Sequence, residues 1–162
     1  MTPAEGMIGA LQGSALSVAM RSSLWLYPIV EIVHIAGFAL LVGSVVMFDL
    51  RLLGLSKSVP VRALARHLLP WSLGSLVLVV PSGLAMFTAH ASDFISNTAF
   101  VTKMSLLMLA GANAAAFHAG AFRSSAAWDT GTRAPLAARL HAAASIVIWV
   151  SVIACGRLLA YL

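Results

Sequence analysis

The chain has 162 residues, of which 60% are hydrophobic and 9% charged, whereas an ordinary soluble domain is roughly 25% charged. A soluble fold is excluded. The formal net charge is +5, but the basic residues gather in particular loops, which is a topology signal rather than a nucleic-acid surface; nucleic acid is excluded as a partner and the lipid bilayer takes its place.

Residues 1–23 lack a basic leader region, so they do not read as a cleaved signal peptide; an interfacial helix over 3–20 is expected instead. Beyond it, four apolar stretches at 24–53, 61–90, 98–122 and 135–162 each reach the roughly 20 residues needed to cross a bilayer. Domain organisation is therefore an N-terminal interfacial segment, 1–23, and a transmembrane domain, 24–162. The fold class is all-α, a four-transmembrane-helix up-down bundle in which short loops make successive helices antiparallel neighbours. In the second stretch Pro81-Ser82-Gly83 breaks the backbone ladder, and such a break can shape a cavity. The third carries small residues four apart, Gly111, Ala115 and Ala119 beside Ala110 and Ala114, which allow close helix approach in lipid. Cys155, the single cysteine, lies in the last stretch and reads as a packing residue; no intrachain disulfide can form.

Ionisable groups within spans are costly and are functional candidates for that reason. In the first span Glu31 and His34 are three residues apart, and Asp49 follows Glu31 at an integral number of turns, so all three are expected on one face. Glu-x-x-His is the spacing of di-iron carboxylate bundles, but it occurs once and without partner glutamates. Lys103 or Arg157 is the expected counter-charge for Glu31. His67, His118 and His141 gather near the side of the basic loops, and His34 and His90 near the other. His67 and His141 match in depth on parallel spans, the arrangement of a bis-histidine haem, a group that b-type cytochromes hold without covalent attachment. Each also follows an arginine at a helix end, the setting of a solvated interfacial residue. Arg157 and His141 fall on opposite sides of the fourth span, so only one of them faces the interior.

The runs Glu31-Ile-Val-His34-Ile-Ala-Gly37 and Phe48-Asp49-Leu50-Arg51-Leu52-Leu53-Gly54, with Leu69-Pro70-Trp71, Phe100-Val-Thr-Lys103-Met104, Asn113 through Phe117-His118 and Gly156-Arg157, resemble an uncharacterised bacterial family of small four-span membrane proteins. That family is loosely similar to copper-resistance-D-like proteins and to small b-type cytochrome bundles. The resemblance implies that His34, Lys103, His118 and Arg157 belong to the family motif and that His67, His90 and His141 do not, which favours His34 and His118 as metal ligands.

The expectation is thus a haem-b-binding electron-transfer subunit, open to quinone or a redox partner protein and to homo- or hetero-oligomers. His34 and one or more of His118, His67 and His141 would bind iron, while Glu31, Lys103 and Arg157 would set the charge around a propionate or quinone head. The alternative is a cofactor-free transporter or metal-handling protein using Glu31, His34 and Asp49, or a structural subunit of a larger complex. No nucleophile and base pair up, so a redox subunit is favoured over a stand-alone enzyme. Seven of the ten Lys and Arg residues lie in the loops after spans one and three, which places those loops in the cytoplasm and both termini in the periplasm of a bacterial inner membrane. Reporter fusions at either terminus should therefore be active outside the membrane, and cytoplasmic reporters at both would invert the topology.

Overall fold

The computed structural model describes residues 3–159 and Tyr161. Four of its helices are long and apolar enough to cross a membrane: α3 (Leu26–Leu53), α4 (Val61–Ala89), α6 (Thr98–Ala119) and α7 (Leu136–Leu158). Three shorter helices accompany them, α1 (Pro3–Gln12), α2 (Ala15–Ser22) and α5 (Ala91–Ser96), together with a 3₁₀ segment, Ala121–Trp128. The all-α expectation holds, and so does the number of spans. The side chains left exposed on the long helices are large and apolar, among them Ile32, Ile35, Val77, Met108 and Val147, as a bilayer environment requires.

Local chemistry trims each span inside its expected limits. α3 stops at Gly54, whose φ of 115° only glycine adopts without strain; Leu55 N–H then donates to Leu50 O, closing the end in the manner of a Schellman turn. α6 starts where the Asn97 side chain accepts from Ala99 and Phe100 N–H, a standard N-cap. Pro60 can supply no such cap to α4. That role passes to the distant Asp129, whose Oδ1 accepts from Arg62 N–H at 2.7 Å. Residues 91–97, expected as loop, contain α5, and residues 120–122, expected as helix, leave it at Gly120.

The helices do not form the simple ring in which each span touches the next. α3 packs against α4 and α7, and α7 packs against α6, giving the lateral order α4, α3, α7, α6. α4 and α6 follow each other in sequence, yet their backbones do not come together. α5 connects them at one end, where Phe87, Phe94 and Phe100 stack in nearly parallel planes. The bundle thus has a basic end, formed by the α3–α4 loop and the 3₁₀ segment, and a terminal end, formed by α1, α2 and α5.

A close helix approach also falls outside the small-residue pattern. A Cβ at Gly37 would lie 2.8 Å from Leu78 Cβ, so this glycine sets the α3–α4 separation. Gly111 has nothing within 4 Å of a Cβ, and Ala114, Ala115 and Ala119 are exposed; of that stripe only Ala110 is buried. The N-terminal region is two helices instead of one, broken at Gly13 and Ser14. α2 docks on the end of α4, with Ser17 Oγ donating to Thr88 O and Arg21 to Ala89 O.

Two apolar clusters fill the interior. At the basic end Phe48, Leu52, Val61, Phe117, Trp128 and Ala138 form one. Leu41, Ala110, Ile148, Trp149 and Val152 form a second, nearer the middle. Arg51, 2% exposed, closes the basic end by donating to the carbonyls of Val59, Lys57 and Asp129. Hydrogen bonds from a charged donor contribute about 1.5–3 kcal/mol each, so Arg51→Ala should lower unfolding stability in detergent by about 3 kcal/mol or more. Arg62→Ala, which keeps its backbone bond to Asp129, should stay within about 0.5 kcal/mol; equal losses would show that Arg51 is not the tie.

Candidate functional site

Near the terminal end, α3 presents His34 to the broken stretch of α4. Its Nδ1 lies 3.1 Å from Val79 O and 2.9 Å from Ser82 Oγ. A carbonyl only accepts, so Nδ1 carries the proton; Ser82 Oγ in turn donates to Leu78 O, which fits its acceptor role toward the ring. The neutral imidazole is thereby held in one tautomer with a lone pair on Nε2. Gly83 makes the approach feasible, because a Cβ there would stand 3.0 Å from His34 Cε1. Beyond the ring, Phe38 stacks at 6.4 Å and leads to Trp149 of α7.

Two charges act on this ring, Lys103 of α6 and Glu31 one turn along α3. Lys103 is half-buried, and its Nζ lies 3.9 Å from where a Cβ on Gly156 would stand, so its stem runs across α7. Glu31 is exposed. The expected ion pairs from Glu31 to Lys103 or Arg157 are not formed: among the described residues the only acid–base contact within 4 Å is His90 with Asp93. Arg157 is exposed and engages Tyr161 instead, with its guanidinium 4.8 Å above that ring and a hydrogen bond to the hydroxyl. Glu31, His34 and Asp49 share a direction, but only Asp49 is fully covered, because periodicity aims a side chain without placing a neighbour there.

At the basic end the histidines separate. His141 Nδ1 donates to Asn113 Oδ1 at 2.8 Å while Asn113 Nδ2 returns a bond to His141 O, so α6 and α7 are tied by a two-bond clasp and Nε2 is again left free. His118 packs edge-on to Phe117 and Phe122, and among the described residues no hydrogen bond engages it. His67 is exposed on α4, and α4 does not pack against α7; the His67–His141 pair is therefore not assembled.

His34 and His118 cannot share one iron. With the terminal ends of their helices level, His34 is 8 residues into α3 and His118 20 residues into α6, a depth difference of about 18 Å at 1.5 Å per residue. The backbones of α3 and α6 do not approach each other either, their contact being through side chains such as Phe48 and Phe117. His90 caps the end of α4, several residues beyond the Ser82 level of His34. Among the described residues no three His, Cys, Asp or Glu side chains cluster as a metal cage. Sequence reasoning missed Ser82 and Asn113 as anchors of the two rings, although Pro81-Ser82-Gly83 was a visible break and Asn113 lies in the motif run.

Helix number, apolar surface and packing make this a small multi-pass membrane protein with an anchored intramembrane imidazole. Residues 25–162 match the family of unknown function DUF6644, and the chain belongs to that family. No curated protein and no solved structure matches the chain. The family description carries no link to copper resistance or cytochromes.

The His141–Asn113 clasp should be cooperative. In a double-mutant cycle His141→Ala and Asn113→Ala should each destabilise the protein and show a coupling of about 1 kcal/mol; additive losses would mean that the two side chains act separately.

Proposed function

We propose that the chain is a haem-b-binding membrane redox subunit in which His34 would hold the iron. One observation carries this reading: Nδ1 of His34 is fixed by Val79 O and Ser82 Oγ, leaving the Nε2 lone pair for a metal. An outer hydrogen bond of this kind orients a ligating imidazole and raises its basicity. The fit to haem is one-sided, since His34 alone supplies a protein ligand at its depth. When bound, a haem would supply one-electron chemistry between its two iron states.

The remaining residues suit an anionic or quinonoid neighbour. Lys103 is the cation available to a propionate or to a quinone oxygen from the same half of the bundle, and Phe38 and Trp149 give the imidazole an apolar border that excludes water. His118 and His141 lie at the opposite end and would serve a separate site or a structural role. The cofactor-free reading has the buried carboxyl of Asp49 in its favour, but Glu31, its other acid, stands exposed.

Protein purified in detergent from haem-replete cells should show a Soret band, with sharp α and β bands after dithionite. His34→Ala should remove or shift these bands in folded protein, and His90→Ala should leave them unchanged. A colourless wild-type preparation, or an unaltered spectrum in His34→Ala, would overturn the proposal.

A further inference from the structure

The most deeply buried acid of the bundle takes no part in the His34 site. Asp49 is 5% exposed, and its Oδ2 is the one buried side-chain polar atom without a hydrogen-bond partner among the described residues. Among the described residues no cation forms an ion pair with it. On α3 itself, Arg51 is committed to the carbonyls of Val59, Lys57 and Asp129. On α4, Arg66 and His67 are exposed, as is Arg123 of the 3₁₀ segment. On α7, the Ser145 hydroxyl faces the carboxyl group, His141 is held by Asn113, and Arg139 lies in the first turn of that helix. None makes a charged contact with Asp49 within 4 Å.

A carboxylate removed from water without a counter-charge is far costlier than the neutral acid, so such a group takes up a proton in place of staying ionised. The group also lies close to one surface. Asp49 is four residues from the basic end of α3, the end that the apolar cluster of Leu52, Val61, Trp128 and Ala138 fills. Trp128 of that cluster belongs to the 3₁₀ segment, whose short hydrogen-bonded turns are a weaker structure than an α-helix.

We propose that Asp49 is a reversible proton-binding site that exchanges with the aqueous phase at the basic end. Uptake transfers one proton from hydronium to a carboxylate oxygen, forming one O–H bond and leaving water; release reverses this, with no electron transfer. The site is independent of His34 and requires no cofactor, so its test stands whether or not the chain binds haem.

Infrared spectra of the full-length protein in lipid nanodiscs at neutral pH supply that test. The wild type should show a protonated-carboxyl C=O band that moves to lower frequency in D₂O. The band should vanish in Asp49→Asn, which keeps the shape of the neutral acid, and persist in Glu31→Gln. Should Asp49→Asn fail to fold, Ser145→Ala should shift the band by removing the facing hydroxyl. No band in the wild type, as for a carboxylate ionised against a bound alkali cation, would overturn the proposal. So would a band that survives Asp49→Asn, ignores D₂O, or stays fixed in Ser145→Ala.

Discussion

The Arg51 guanidinium is the tie on which the arrangement of the basic end depends. Helices in lipid gain little from the hydrophobic effect, because acyl chains solvate apolar side chains as well as neighbouring helices do; directional polar contacts and close packing must hold them together. Arg51 spreads its donors over carbonyls from two separate loops, those of Lys57 and Val59 after α3 and that of Asp129 before α7. Asp129 is shared further: its carbonyl also accepts from Val61 N–H and its carboxylate caps α4 through Arg62 N–H. The end of α3, the start of α4 and the loop before α7 are thus joined through one buried cation and Asp129.

The same economy of polar contacts shapes the two anchored imidazoles. His34 joins α3 to α4 and His141 joins α7 to α6, each through Nδ1, so each helix pair is fastened by a histidine whose Nε2 is left free. The apolar layer of Leu41, Ala110, Ile148, Trp149 and Val152 lies between the two levels. A polar group at either level is therefore separated from the other by side chains of which only the Trp149 indole carries a hydrogen-bond donor.

How much could be read from the sequence depended on whether a property is local. The four spans were legible because length and hydropathy are properties of single segments, and the depths of His34 and His118 followed from residue counting. Facing was half-legible: Asp49 and His34 are covered as expected, while Glu31 on the same stripe is exposed and Gly111 of α6 has no neighbour close to where a Cβ would stand. Pairing was not legible. It depends on which helices are adjacent, and the order α4, α3, α7, α6 separates spans that sequence order would place side by side. Arg51 and Asn113 show the same limit, since the carbonyls and imidazole they satisfy lie far along the chain and nothing in the local pattern marks them.

The Arg51 tie also bears on the order in which the molecule can be made. Two of its three carbonyls arrive within eight residues, but the third, on Asp129, is 78 positions downstream. While the α3–α4 hairpin is being inserted, Arg51 can therefore satisfy only its own loop, and the cap of α4 by Asp129 is likewise missing. Only after α6 has crossed and the 3₁₀ segment has emerged does the chain possess the group that completes both. Assembly of the basic end is consequently a late event in synthesis, and an early hairpin released before Asp129 is translated would lack the contact that sets its register.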